Sequence, residues 1–354
     1  MISAAGKPLA AVAATLALVA IALAALGASP WATFTALAGG AFGNWLAATD
    51  TLVKTTPLVF TGLAVSVAFS GSLWNIGAEG QLLAGALAAS ACGIHLAHWP
   101  RPLAIATVLA AGVIAGAGWG ALSGWLRARY QVNEVISTIM LNYTAIQTVS
   151  WAVHGPLMEA SGAYPASQPL PSAACLYRYL PPSRLNAGMI LAVVLAPACY
   201  VWLFHTNTGF ELRAVGKNQR AAAFFGIPVA RVTVLTMALS GALAGLGGAV
   251  QVSAISHRLF ERFSPGWGYE AIAVALVARL NPLAVLASAL FFGALDNGAQ
   301  AIQRAQGVSP VLVQATQGLV IFMLLAFDTP ALQKWRGGGK APAAKEMAAG
   351  HADA

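Results

Sequence analysis

The sequence predicts an all-α polytopic membrane protein, on the evidence of its composition and of the spacing of its charges. Hydrophobic residues make up 58% of the 354 positions, and only 8% are charged. A soluble domain carries about 25% charged residues, so this chain has too few charges to cover a surface that faces water. The mean hydropathy of +0.71 fits a chain that lipid largely solvates. Soluble globular, disordered and fibrous proteins are excluded.

Apolar windows of the length that a membrane helix needs recur along the whole chain. A hydrocarbon core of about 30 Å requires about 20 helical residues, and about ten transmembrane helices are expected. Two of the later windows are short, and a tight turn is expected between them at Arg279–Pro282. The windows are Pro8–Thr49, Thr55–Ala78, Gly80–Pro100, Pro102–Leu126, Val135–Met158, Leu185–Phe210, Val232–Ser256, Ala271–Ala278, Leu280–Leu295 and Ala305–Phe327.

The first span, Leu9–Gly27, has two interpretations. Lys7 precedes it and an Ala-Leu-Gly-Ala-Ser sequence closes it, which is the pattern of a cleaved signal peptide. The run is longer than the usual signal core of about 7–15 residues, and a consistent ten-span topology needs it. A retained helix is therefore expected.

The distribution of Lys and Arg predicts the orientation. Twelve of the nineteen Lys and Arg residues fall on the side that carries both termini. In this count Lys54 is taken as a helix-end charge of the opposite side. The positive-inside rule places that side in the cytoplasm. The basic residues form no patch with aromatic residues, so nucleic-acid binding is not expected.

Two segments outside the helices complete the predicted organisation. The Pro-rich loop 154–186 is expected outside the cell, as a plain solvated connection or as a cover or contact for a delivery protein. Residues 1–330 form the expected transmembrane domain, and 331–354, which begin near three consecutive glycines, form a disordered cytoplasmic tail.

Polar side chains at membrane depth are the candidate site. Ionisable groups there are costly and are functional hypotheses by default, although a buried group that ties helices together is the alternative. Small residues flank the pair Asn75 and Glu79, which permits a broken helix around a cavity. The candidate pathway residues of this kind are Asn75, Glu79, Gln81, Asn142, Glu270, Asp296 and Asn297.

A short internal match indicates an inverted repeat. Gly77-Ala78-Glu79 opens the third span and Gly268-Tyr269-Glu270 opens the eighth. An odd offset of five spans gives the two copies opposite orientations, a plan common among transporters. The repeat would relate spans 2–5 to spans 7–10.

The connection 206–231 has the pattern of a short exposed helix. Asn218 can cap it, the alanines give it a small-residue face, and Gly226 followed by Pro228 ends it. Phe224 and Phe225 are aromatic knobs on this element. Insertion into a partner's groove and attachment to the membrane surface both remain open.

Signatures of catalysis are missing from the sequence. It contains no GxxxxGK[ST] phosphate loop, no HExxH and no GxSxG. Neither the histidines nor the cysteines have metal-site spacing. We expect no catalytic residues, no metal and no cofactor in this chain, and any ATP would be hydrolysed by another subunit.

Three segments resemble the permease subunits of bacterial ABC importers in the branched-chain amino acid, ribose and nucleoside superfamily. They are Trp74–Gln81, Asn133–Tyr143 and Leu212–Ile227, and the first two most resemble the permeases of simple sugar and purine nucleoside importers that work with a lipoprotein. Tyr143 joins the candidate pathway through this resemblance. It also implies a coupling helix that docks on an ATPase, with the residues Gly216, Asn218, Ala222, Ala223, Phe224 and Gly226.

The resemblance implies an importer in the bacterial inner membrane that works by alternating access. The partners would be two ATPase subunits that bind ATP and Mg, a second and different permease, and a binding lipoprotein or periplasmic protein. Sparse intramembrane charge favours a neutral nucleoside or sugar. Transport of branched-chain amino acids is one alternative, and an ion-coupled transporter using Glu79, Glu270 and Asp296 is another.

Overall fold

A computed structural model describes residues 29–162 and 164–306, together with positions 17, 20 and 21. The described helices lie in the compact unit Trp31–Val313, with α1 beginning one residue before it. They are α1 (Pro30–Phe42), α2 (Trp45–Ser70), α3 (Ala78–Gly93), α4 (Arg101–Tyr130), α5 (Glu134–His154), α6 (Ala187–His205), α7 (Asn207–Lys217), α8 (Gln219–Phe224), α9 (Val229–Gln251), α10 (Trp267–Val277) and α11 (Pro282–Gln306).

Helix α2 is the central element of this unit. Its side chains are buried along most of its length, because α6, α9, α10 and α11 all pack against it. A helix that neighbours cover on all sides needs no polar face, and α2 accordingly shows little amphipathic character. The core of the unit therefore runs along α2.

Glycines allow α4 and α9 to pack at very close range. A Cβ placed on Gly116 or on Gly241 would overlap the backbone of the other residue, and Gly112 and Gly245 form a second such pair. In lipid, no hydrophobic force drives helices together. They associate instead through close packing, which small residues of this kind permit. Helix α3 joins the same contact through Gly85.

Five described helices are long and apolar enough to cross a membrane, which makes the chain a multi-pass membrane protein. Helix α10 is apolar but shorter, and α5 has the length, with 21 residues, but not the hydropathy. Helix α9 continues into a π-helical turn, Val252–Ser256. The five spans are Trp45–Ser70, Arg101–Tyr130, Ala187–His205, Val229–Ser256 and Pro282–Arg304.

The predicted bounds of two windows were wrong. Helix α2 begins at Trp45 rather than Thr55, so Lys54 lies inside the helix and not at its end. Helix α11 continues past Leu295 to Gln306. The reason is that Lys54 Nζ and Asp296 Oδ2 are 2.9 Å apart, and charges that neutralise each other within the protein do not mark helix ends.

Two predicted interruptions are confirmed. Residues 71–77 separate α2 from α3 without helical structure, and Arg279 and Leu280 have positive φ angles of 51° and 58° in the turn between α10 and α11. The first span apart from positions 17, 20 and 21, most of the tenth window, and the tail 331–354 lie outside the described residues.

Candidate functional site

A buried hydrogen-bond network holds the break between α2 and α3. Asn75 Nδ2 donates to Gln81 Oε1 at 3.0 Å and to Ser240 Oγ at 2.8 Å, and Asn75 Oδ1 accepts from the Gly77 amide at 2.9 Å. Ser240 in turn donates to the Ala64 carbonyl at 2.6 Å. The side chains of Asn75 and Gln81 are at most 1% exposed. Each polar group is satisfied by another, so the network fixes the broken backbone.

The starts of α3 and α10 meet at Glu79. The Gly268 amide donates to Glu79 Oε2 at 2.7 Å, and a Cβ on Gly268 would overlap the backbone of Glu79. The two segments with matching sequence, 77–79 and 268–270, therefore lie side by side. Glu79 is 3% exposed, and its carboxylate accepts a hydrogen bond from an amide in the first turn of a second helix.

Asn142 on α5 joins both breaks. Its Oδ1 accepts from the Gly80 amide at 2.8 Å, and its Nδ2 donates to the Ile76 carbonyl at 2.8 Å and to Tyr269 Oη at 3.4 Å. Asn142 is fully buried. It is thus a bridge between the segment before α3 and the first turn of α10.

Asp296 and Asn297, both on α11, lie elsewhere. Asp296 pairs with Lys54, and Asn297 Nδ2 lies within 3.1 Å of the carbonyl oxygens of Gly40 and Ala47 and of Thr51 Oγ1. Asn297 therefore ties α11 to α1 and α2. Glu270 is half-buried on α10. The structure places Asn75, Glu79, Gln81 and Asn142 in one region, with Asn297 outside it.

An exposed face of α5 begins next to this region. Tyr143 is 61% exposed and Trp151 is 66% exposed, and the exposed Gln147 lies between them at helical spacing. A groove of about 490 Å³ runs along this face, lined by Tyr143, Thr144, Gln147, Thr148 and Trp151. The sequence predicted Tyr143 as a pathway residue but not Trp151. The spacing of Tyr143, Gln147 and Trp151 at i, i+4 and i+8 could have indicated Trp151 as well.

The connection 206–231 contains the predicted short helix. Asn218 Oδ1 accepts from the Ala221 amide at 3.0 Å and caps α8. Gly226 has a φ of +81° just after its end, a conformation that glycine adopts without strain. Ala222 is buried, whereas Phe224 and Phe225 are 87% and 80% exposed. The helix therefore presents an aromatic pair outward.

Helix α7 connects this short helix to the break after α2. Ser72 Oγ donates to the Gly216 carbonyl at 2.6 Å, and a Cβ on Gly216 would press on the backbone of Ser70 and Gly71. Ser72 itself has a φ of +53°. The segment that carries Asn75 is thus in direct contact with α7, the helix that leads into α8.

The loop 154–186 is bonded to the turn that follows α9. The Ser167 amide donates to the Leu259 carbonyl and the Leu170 amide to the His257 carbonyl, both at 2.7 Å. Arg178 Nη2 donates to His257 Nε2 at 2.8 Å. These hydrogen bonds attach the loop to that turn. The loop lies at the opposite end of α6 from α7 and α8.

Comparisons with known proteins agree over nearly the whole chain. Residues 47–327 match the family described as "Branched-chain amino acid transport system / permease component". The chain is 34% identical to the glucose ABC transporter permease protein TsgB13 of Haloferax volcanii, over 91% of this chain and 87% of that one. No solved structure is a significant match.

Two bacterial relatives are equally similar. The chain is 35% identical to the guanosine ABC transporter permease protein NupP of Bacillus subtilis, over 82% of this chain and 84% of that one. It is 32% identical to the nucleoside ABC transporter permease protein NupB of Lactococcus lactis, over 86% of each.

Proposed function

The chain belongs to the family of branched-chain amino acid transport system permease components, and from this premise we propose that it imports a nucleoside or a simple sugar. It acts as the membrane-spanning permease subunit of an ATP-binding-cassette importer. The observation that carries the proposal is its similarity, over at least 82% of its length, to permeases named for glucose, guanosine and nucleosides. In this proposal the chain is not an enzyme: separate ATPase subunits bind ATP and Mg and carry out the hydrolysis.

The contacts at Glu79 support a neutral solute over an amino acid. The carboxylate of an amino acid would be received well by the free amides at the start of a broken helix. At the start of α10 the Gly268 amide is already bonded to Glu79. A nucleoside or sugar has no carboxylate and does not need that position.

The same contacts argue against proton transfer through Glu79 and Asp296, two of the three carboxylates that an ion-coupled transporter would use. A carboxylate that carries protons must reach water, but Glu79 is 3% exposed, and Asp296 is held by Lys54. We assign Asn75, Glu79, Gln81 and Asn142 to the frame around the pathway, Tyr143 to its wall, and Glu270, Asp296 and Asn297 to the helices that support it.

Coupling to ATP hydrolysis passes through α8 in this proposal. Phe224 and Phe225 enter a groove of the ATPase, while the small face of Ala222 and Ala223 allows close approach and Gly226 closes the turn. Gly216 and Asn218 hold the element on α7. ATP binding then moves α7 against the break after α2, and the pathway opens to one side at a time.

The assembly around the chain completes the proposal. Ten spans, related in part by an inverted repeat, place both termini in the cytoplasm of a bacterial inner membrane. A second, different permease forms a heterodimer with this chain, and a lipoprotein or periplasmic binding protein delivers the solute to the side of the loop 154–186.

Uptake into vesicles tests the proposed function. The chain is reconstituted with its partner permease, ATPase and binding protein, and radiolabelled guanosine, glucose and leucine are offered with and without ATP. We expect ATP-dependent uptake of guanosine or glucose and none of leucine. Uptake driven by a proton gradient without ATP, or uptake of leucine alone, would overturn the proposal.

A further inference from the structure

The exposed face of α5 is a ladder of one amide between two aromatic rings. Tyr143, Gln147 and Trp151 follow one another four residues apart, so they lie one above the other at a spacing of about 6 Å. All three side chains are exposed, and the groove along them has a volume of about 490 Å³. None of the five side chains that line this groove carries a formal charge.

We expect this ladder at the depth of the hydrocarbon core, because the sequence predicts a membrane span over Val135–Met158. Tyr143 is about 14 Å and Gln147 about 20 Å from the first residue of α5, at 1.5 Å per residue, in a core about 30 Å thick. An amide that faces lipid has no hydrogen-bond partner and is costly. The side-chain amide of Gln147 forms no hydrogen bond with another described residue. Its amide therefore needs a polar partner on this face, which water, a solute or the second permease could supply.

The buried network cannot supply the solute contacts. Asn75, Gln81 and Asn142 are at most 1% exposed, and their amide groups are engaged by one another, by Ser240 and by the backbone. A passing molecule would have to break these bonds. The α5 ladder begins one residue after Asn142, so it is a polar surface beside the network that a solute can reach.

We propose that Tyr143, Gln147 and Trp151 form the track along which the solute contacts this subunit. The proposal rests on the proposed function and names the contacts of the same pathway. The two rings offer faces for stacking to a sugar ring or a nucleobase, and the Gln147 amide both donates to and accepts from hydroxyl groups. Without a charge, the track binds a neutral ring-bearing polar molecule weakly enough to release it.

The first test measures whether the ladder faces water, independently of transport. Cys92, Cys175 and Cys199 are replaced by serine, Gln147→Cys or Ile114→Cys is introduced, and a water-soluble thiol reagent is applied to the assembled complex. Ile114 is the matched control, because it is 70% exposed and also lies about 20 Å along its helix. We expect Gln147→Cys to react and Ile114→Cys to stay unreactive.

Protection by solute then identifies what the track holds. Guanosine or glucose at ten times its Kd occupies about 90% of sites, so labelling of Gln147→Cys should slow about tenfold. Failure of the reagent to reach Gln147→Cys, with or without ATP, or labelling that neither compound slows, would overturn the track.

Uptake kinetics separate this inference from the proposed function. Gln147→Leu and Tyr143→Ala should raise KM about tenfold with kcat within about twofold, the size expected for one lost hydrogen bond or stacked ring, while Ile114→Ala should match the wild-type protein. An unchanged KM contradicts the track even when the importer works. If less of the second permease co-purified with these variants, while the complexes that did form kept the wild-type KM, the face would be assigned to subunit contact instead.

Discussion

Asn142 is the residue through which both helix breaks are held together. Asn142→Ala would leave the Gly80 amide and the Ile76 carbonyl unpaired in a buried site, which costs about 1–3 kcal/mol for each group. We expect a lower thermal unfolding midpoint in detergent. Gln147→Ala is the control, because it removes an amide from the same helix at an exposed position. Equal midpoints for the two variants would show that the Asn142 bonds contribute nothing to stability.

His257 makes the attachment of the loop 154–186 dependent on pH. Burial lowers the pKa of His257 below its usual 6.5, and the Arg178 guanidinium lowers that pKa further. His257 therefore binds a proton more readily in the unfolded segment than in the folded one. The free energy that holds the loop in place falls as the pH drops below about 6.5. The Ser167 and Leu170 amides should exchange faster at pH 5.5 than at 7.5, after correction for intrinsic rates. His257→Gln should remove this difference, and its persistence there would assign the effect to another group.

At the scale of helices, the glycine contact between α4 and α9 sets the distance between them. Gly116→Ala should lower the thermal midpoint, because its methyl group would overlap the Gly241 carbonyl and overpacking costs about 1–3 kcal/mol. Gly118→Ala lies two residues away, where a Cβ would meet nothing within 4 Å. It should be neutral or stabilising through helix propensity. A lower midpoint for Gly118→Ala than for Gly116→Ala would contradict the packing.

Ser72 is the contact between α7, which leads into the short helix α8, and the break after α2. Ser72→Ala removes the hydrogen bond to the Gly216 carbonyl, and we expect the solute imported per ATP to fall about threefold, in the range of mutations along a coupling route. Folding should be unaffected, since Ser72 is exposed. Ser70→Ala is the matched control, because the Ser70 hydroxyl donates to the Ser66 carbonyl within its own helix. An unchanged ratio of solute to ATP would place the coupling elsewhere.

Local patterns could predict local structure but not the pairing of distant residues. The turn at Arg279–Pro282, the break before Ala78 and the Asn218 cap each depend on a few neighbouring residues, and each was predicted. Lys54 was wrongly placed at a helix end because its partner Asp296 is 242 residues away. The bonds that fasten the loop 154–186 join it to residues about 90 positions later, and no spacing in the sequence reports them.

For the whole molecule, coupling to the ATPase depends on the exposed aromatic pair of α8. Replacing Phe224 and Phe225 together with alanine should leave the thermal midpoint unchanged, because both are at least 80% exposed. Association with the ATPase, measured by co-purification, should fall at least tenfold, as expected for the loss of aromatic anchors. Phe42→Ala is the control, since Phe42 is also exposed and precedes the opposite end of α2 from Ser72. If the variant still co-purified with the ATPase, α8 would not be the docking helix, and attachment to the membrane surface would be its remaining role.

The polar face of α5 also determines how the chain enters the bilayer during synthesis. Taken alone, α5 falls short of the hydropathy of the five spanning helices, whereas α4 is strongly apolar. Only three residues connect the two helices, and Arg127 forms an ion pair with Glu134 across that connection. We expect α4 and α5 to leave the translocon as one helical hairpin, with the apolar helix carrying the polar one. A nascent chain that lacked α4 would then release α5 into water.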